Sequence, residues 1–195
     1  MKTSPLHPGP LATVCVFCGA HPGQDPAFLE AARAFGRLLA VTGRRLVYGG
    51  GRAGMMGALA DAALEAGGEV VGVIPRAMVD REWAHPGASS MRVVGTMHQR
   101  KAMMSELADG FVALPGGIGT MEELFEAWTW AQLGVHGKPV GLLDAGEFFQ
   151  PLLALADHMV QAGFLLPGVR DLLVVDTDPG RLLARMAAMA AAESP

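Results

Sequence analysis

The chain alternates throughout between short apolar runs rich in β-branched residues and longer segments rich in Ala and Leu. Thr13–Phe17, Arg45–Tyr48 and Glu69–Ile74 have the length and composition of strands, and Pro26–Val41 and Gly54–Glu65 between them have those of helices. Asp25 is placed to cap the first of these helices ahead of Pro26. A Pro/Gly/Ser-rich loop covers Pro75 to Ser90, followed by a short strand at Arg92–Val94. The rhythm continues with a helix at Met97–Leu107, a strand at Gly110–Leu114 and a helix at Thr120–Gln132. Strands at Pro139–Leu143 and Leu172–Val175 and helices at Glu147–Gln161 and Pro179–Ala192 complete it. Runs that are apolar at nearly every position, such as Val70-Val71-Gly72-Val73-Ile74, belong to sheets covered on both faces. The expectation is one α/β domain over residues 12–192: a doubly wound, Rossmann-like parallel sheet with helices on both faces.

Composition narrows the function classes. Hydrophobic residues make up 51% of the chain and charged residues 17%, which favours a large core over disorder or a charged coiled coil. The net charge is -4 and no Lys/Arg run occurs, so the footprint of a nucleic-acid-binding surface is missing. Two cysteines make no disulfide framework. Cys15 and Cys18 match C-x-x-C, but three residues along a strand they face opposite sides, unsuited to a redox or zinc pair. The six histidines show no metal-site spacing. At the N-terminus, Pro5, Pro8 and Pro10 interrupt any signal-peptide pattern. Residues 1–11 therefore read as a floppy arm on a cytoplasmic protein without a membrane span.

In a doubly wound sheet, ligands bind beyond the carboxyl ends of the strands, and two glycine-rich segments fall there. Gly49-Gly50-Gly51-Arg52-Ala53-Gly54 follows a strand, opens a helix and fits G-x-G-x-x-G. A dinucleotide site would also need an acid at the end of the next strand, which here reads Val73-Ile74-Pro75-Arg76. Close helix–strand packing at Gly51 and Gly54 is the plainer explanation, and additional ligand contacts from Gly49, Gly50 and Gly51 are the other. The second segment is Leu114-Pro115-Gly116-Gly117-Ile118-Gly119-Thr120-Met121-Glu122-Glu123. Its glycines suit a nest of amides for a monophosphate at a helix N-terminus. Thr120-x-x-Glu123 also fits a capping box, with Thr120 as N-cap and Glu123 at the third helical position. Carboxylates in a first turn repel phosphate, so one of Glu122 and Glu123 is expected to aim elsewhere. Met97-His98-Gln99-Arg100-Lys101 opens the preceding helix with two adjacent cations that cannot share a face, one of them free to meet an anion.

These two strings closely resemble the Lonely Guy family, the cytokinin riboside 5′-monophosphate phosphoribohydrolases once labelled lysine decarboxylases. The likeness runs from Val16-Phe17-Cys18-Gly19 through Tyr48-Gly49-Gly50-Gly51 and Val73-Ile74-Pro75 to Trp130-Ala131-Gln132-Leu133-Gly134. The resemblance implies hydrolysis of the N-glycosidic bond of an adenosine-type 5′-monophosphate, N6-modified bases included, to free base and ribose 5-phosphate. It places Arg100 and Glu123 in catalytic positions. Glu82, Lys101, the run Gly116 to Glu123 and Thr129 match nucleotide-contacting positions. It implies no metal and no organic cofactor. Ala20 stands where the family pattern suggests serine.

Two other functions compete: a non-catalytic carrier of a nucleotide or nucleotide-like cofactor, and a pyridoxal-dependent decarboxylase. The three lysines, Lys2, Lys101 and Lys138, lie in no recognisable Schiff-base setting. A homodimer is expected because Phe125, Trp128 and Trp130 spread around much of one helix.

Overall fold

The computed structural model describes residues 9–81 and 83–192. The strand-like runs form seven strands: β1 (Thr13–Phe17), β2 (Arg45–Tyr48), β3 (Val70–Pro75), β4 (Ser90–Val94), β5 (Gly110–Ala113), β6 (Val140–Leu143) and β7 (Leu173–Asp176). All neighbours pair in parallel, in the order β4-β3-β2-β1-β5-β6-β7. The helices are α1 (Pro26–Val41), α2 (Gly54–Glu65), α3 (Arg76–Val79), α4 (Met97–Leu107), α5 (Ile118–Gln132), α6 (Gln150–Gln161), α7 (Pro167–Arg170) and α8 (Pro179–Ala192). Among the described residues, no helix is long and apolar enough to cross a membrane.

Each face of the sheet has its own core. Val14, Val16, Leu46, Tyr48 and Val112 meet Phe35 and Leu39 of α1, Leu59 of α2 and Leu182 of α8. Cys15, Phe17, Val47, Val73 and Phe111 meet Met104 of α4, Leu124 and Trp128 of α5 and Ala156 of α6. Strand alternation thus sends Cys15 into one core and Cys18 into the other. Both are buried free thiols. Leu11 is fully buried in the first core, while residues 1–8 of the expected arm lie outside the described residues.

The chain reverses its winding at β1, which pairs with β2 on one side and β5 on the other. This is the switch point where doubly wound sheets open a crevice. The loops after β1 and β5 meet there, the Gly19 amide donating to the Pro115 carbonyl at 3.1 Å.

The expected elements are all present, six of them with the expected bounds and the rest shifted by one to three residues. Three differences matter. The Pro75–Ser90 loop contains α3. A 3₁₀ turn at Ala145–Glu147 delays α6 to Gln150. Most important, α5 begins at Ile118 rather than Thr120, because extended Gly117 takes the cap position. Thr120 is therefore inside the helix, and the expected Thr120–Glu123 capping box does not form. A capping box forms instead at the head of α4. There the Thr96 hydroxyl accepts from the Gln99 amide at 3.2 Å, and Gln99 Oε1 accepts from the Thr96 amide at 3.2 Å.

Candidate active site

The cap at Thr96 sets the phase of α4, and that phase sends its two cations in different directions. Arg100 turns inward and is 8% exposed. Its Nε donates to the Val73 carbonyl of β3 at 3.1 Å, Nη2 to the Gly49 carbonyl after β2 at 3.5 Å, and Nη1 to Glu123 Oε1 at 2.9 Å. The guanidinium is thus bound to backbone carbonyls near the ends of two strands and to a carboxylate on α5. A Cβ at Gly49 would fall on that guanidinium, so this glycine is required by a protein side chain.

Glu123 sits in the second turn of α5, its side chain 11% exposed. Burial pushes its carboxyl above the ordinary carboxylate range; Arg100 opposes that shift, and neighbouring Glu122 reinforces it. The repulsion expected between first-turn carboxylates and an anion at this helix end is weaker than the sequence suggested. Both lie beyond the first turn, and each has a cation: Glu123 has Arg100, and Glu122 has Lys101 at 2.5 Å.

The pair Arg100–Glu123 forms part of the wall of an open cleft of about 1000 Å³ at the switch point. Its rim comes from the loops after β1 (Cys18–His21), β2 (Gly49, Gly51–Ala53) and β5 (Pro115–Gly117), continuing into the first turn of α5 through Thr120. Phe28, Met56, Met78, Trp83, Met97 and Phe148 make the remaining wall apolar. At the N-terminus of α5, a Cβ on Gly117 or Gly119 would meet nothing within 4 Å, and Ile118 is 90% exposed. First-turn amides have no intrahelical acceptor, so this end of the helix offers free donors and a positive dipole to the cleft. Thr120 is buried, with its hydroxyl against Gly116.

The expected site residues therefore separate into groups. Arg100, Glu123 and the stretch Gly116–Thr120 converge on the cleft, together with Gly49 and Gly51. Gly50 turns away with φ +76°, its missing side chain facing Ile74 and Met91. Lys101, Met121, Glu122 and Thr129 do not line the cleft. Lys101 binds Glu122 and Glu126, and Thr129 is exposed farther along α5. Glu82 lies outside the described residues. The helix whose aromatics suggested a dimer buries Trp128 in its own chain, where Nε1 donates to the Val169 carbonyl at 2.8 Å. That part of the dimer argument fails.

Sequence reasoning missed the clamp that holds the loop after α3 over the cleft. Ala84 bridges Gly51, the Arg52 amide donates to the Trp83 carbonyl, and the His85 amide donates to the Gly50 carbonyl. The His85 ring is buried and accepts from the Gly87 amide at Nδ1, so its Nε2–H donates to Asp61 at 2.9 Å. The partners are 24 residues apart, and no local signal links them.

Comparison with known proteins follows the same line. A family model described as "Possible lysine decarboxylase" matches residues 56–186. A cytokinin riboside 5′-monophosphate phosphoribohydrolase of Rhodococcoides fascians is 50% identical over 167 residues, 85% of this chain and 84% of that protein. A protein of Oryza sativa subsp. japonica named as a probable enzyme of the same kind is 44% identical over 178 residues, 91% of this chain and 80% of its own length. An Arabidopsis thaliana enzyme with that name is 44% identical over 161 residues, 83% of this chain and 75% of that protein. Among solved structures, the molybdenum cofactor binding protein of Rippkaea orientalis superposes with a TM-score of 0.70 at 21% identity. That match covers 92% of this chain and 97% of the other. The molybdenum cofactor carrier protein of Chlamydomonas reinhardtii gives 0.68 at 24% identity, covering 93% and 99%. At those identities the likeness is one of fold.

Proposed function

This chain belongs to the Lonely Guy family of cytokinin riboside 5′-monophosphate phosphoribohydrolases, and from that premise we propose how its cleft hydrolyses an adenosine-type 5′-monophosphate. The enzyme is an N-glycosidic hydrolase. The carrying observation is the buried Arg100–Glu123 pair beside an open helix N-terminus. From Ile118 to Glu123 the helix rises roughly 7.5 Å, a span suited to a ribose 5-phosphate lying along the first turns of α5. The 5′-phosphate takes the free amides from Gly117 to Thr120, and C1′ comes to rest beside Glu123.

Breaking the C1′–N bond leaves positive charge on the ribose, which a carboxylate at that point stabilises. The oxygen of one water adds to C1′, and the departing base takes up a proton. Glu123 can also orient the ribose hydroxyls or activate the water. Arg100 favours the ionised form of the carboxylate and holds it in place until substrate arrives, and its guanidinium is close enough to the cleft to share with the ligand. The apolar wall around Phe28, Met56 and Trp83 suits the base and an apolar N6 substituent.

The decarboxylase reading has no support from the described lysines. Lys101 is bound to two carboxylates, and Lys138 Nζ donates to the Ser105 carbonyl at 2.7 Å. We also propose a cytoplasmic homodimer. Exposed Leu133 and Val135 just beyond the C-terminus of α5 are the apolar surface that supports it. In that assembly Thr129, remote from its own cleft, serves the nucleotide of the second copy. A monomer mass by light scattering at micromolar concentration would remove this part.

The activity is tested by following ribose 5-phosphate release from AMP, from AMP with a prenyl group on N6, and from both nucleosides. Monophosphates should be cleaved and nucleosides very poorly, because phosphate binding positions the distant C1′. Equal specificity constants for nucleoside and monophosphate would overturn the phosphate assignment. Binding without release would favour a carrier.

A further inference from the structure

Trp83, Ala84 and His85 cross the loop after β2 as a strap, joined to Gly50, Gly51 and Arg52 through backbone alone. A second anchor stands behind the strap. The His85 ring is buried and both its nitrogens are engaged, Nδ1 accepting from the Gly87 amide at 3.1 Å and Nε2–H donating to Asp61 Oδ1 at 2.9 Å. Asp61 belongs to α2, and its side chain is 61% exposed. Neither Asp61 nor His85 lines the cleft, whereas Trp83 does. An exposed carboxylate outside the cleft is thus tied to the residue next but one to a cleft wall.

The strap covers the end of the cleft that a base would reach. Along the carboxyl edge of the sheet the strands follow in the order β5, β1, β2, β3. With strands spaced about 4.8 Å apart, the N-terminus of α5 after β5 and the strap above β2 and β3 are roughly 10–14 Å apart. Arg100, bonded to the Gly49 and Val73 carbonyls, holds Glu123 on the β2–β3 side of that helix end. A nucleotide with its phosphate at α5 and C1′ at Glu123 therefore runs towards β3, and its base and N6 substituent arrive at Trp83. Arg81 stands 5.3 Å from the Trp83 ring centroid, a cation–π contact that helps to fix the ring. We propose that Asp61 and His85 are a positioning pair, locking the strap so that Trp83 stands ready against the base and its N6 substituent.

This inference rests on the hydrolase reading for the identity of the ligand, while the latch itself does not. A wall already in place loses no freedom when ligand binds, so the latch acts on affinity. Arg100 and Glu123 are held by bonds of their own, and the chemical step is spared. A tie that only satisfied a buried imidazole would act on stability and leave affinity alone.

The test uses the full chain and follows ribose 5-phosphate release. In Asp61→Ala, KM should rise about fivefold for N6-prenyl AMP and about twofold for AMP, with kcat within about twofold of wild type. Amide exchange at Arg52 and His85, the donors of the strap bonds, should quicken. Asp61→Asn keeps an acceptor for Nε2–H and should restore KM. Trp83→Leu should raise KM for the prenyl compound in the same way, and adding Asp61→Ala to it should change little, since the latch then has no ring to place. An unchanged KM in Asp61→Ala, whatever the exchange rates, would overturn the proposal and leave the tie a structural one. Additive effects with Trp83→Leu, or no recovery in Asp61→Asn, would overturn it too. If the wild-type protein releases no ribose 5-phosphate, the hydrolase reading fails. Quenching of Trp83 emission by the same monophosphates, recognised by its absence in Trp83→Leu, then gives Kd, and a Kd equal in wild type and Asp61→Ala would overturn the latch separately.

Discussion

The loops after β2 and β5 are both strand-to-helix turns of three or more glycines, and they use those glycines for opposite purposes. In Gly49–Gly54 the space left by missing side chains is filled by the protein itself: Arg100 against Gly49, Met56 against Gly51, the Ala20 backbone against Gly54. In Pro115–Thr120 the glycines at 117 and 119 face nothing within 4 Å. The first loop is shaped around the Arg100 side chain and its own neighbours. The second leaves space open at those glycines, which is where the proposed phosphate would lie. A glycine-rich motif alone cannot distinguish these uses; the atoms in the Cβ position do.

The sharpest way to break the contrast is Gly49→Ala. Its methyl group displaces the Arg100 guanidinium, so turnover should fall by about 100-fold or more, with a lower melting temperature. Unchanged kinetics would mean that Arg100 does not need its carbonyl cradle. Gly117→Ala should leave stability almost untouched. The backbone there has φ -88°, open to alanine, and the gain from a stiffer unfolded chain is offset by alanine's poorer helix capping, so the net change should stay within about 1 kcal/mol. The added methyl crowds the phosphate, and KM for AMP should rise about tenfold, as expected for a loss of about 1.4 kcal/mol. An unchanged KM in the folded variant would remove the phosphate from this loop.

A third measurement follows Glu123 itself through folding. Its carboxyl is raised in the folded state, so the folded protein holds that proton more tightly than the unfolded chain. The associated stability is present below the unfolded midpoint and lost as pH rises through the folded one. Denaturant titrations of wild type and Glu123→Gln should therefore diverge over that window, from the ordinary carboxylate range upward, with the wild type losing stability. Parallel curves would show that burial does not disfavour the carboxylate. The smallest effect belongs to the caps: Thr96→Ala should cost about 1 kcal/mol, because the box sits at α4, whereas a structural cap at Thr120 is absent.

The fold was legible because its signal is local. Val70 to Ile74 announces a buried parallel strand by composition alone, and Asp25-Pro26 announces a helix start, realised as the Asp25 side chain accepting from the Ala27 amide at 2.9 Å. The start of α5 was less legible. Thr120 and Glu123 carry the side chains of a capping box, and an extended glycine cap at Gly117 leaves no side-chain signature. Arg100 and Glu123 stood out through motif resemblance, but their contact joins residues 23 apart and depends on how α4 and α5 lie on one sheet face. The His85–Asp61 tie is likewise a product of packing, invisible to spacing.

The Arg100–Glu123 contact also constrains how such a chain can change over generations. Loss of either partner leaves the other largely buried without its counter-charge, which typically costs about 3–5 kcal/mol, a large part of a domain's margin against unfolding. A descendant that abandons the reaction cannot shed these two residues one at a time without risking its fold. Retention of the pair in a lineage is therefore weak evidence of activity by itself. Genetic drift would first become visible at Gly119, where a side chain meets nothing within 4 Å and which, unlike Gly117, caps no helix.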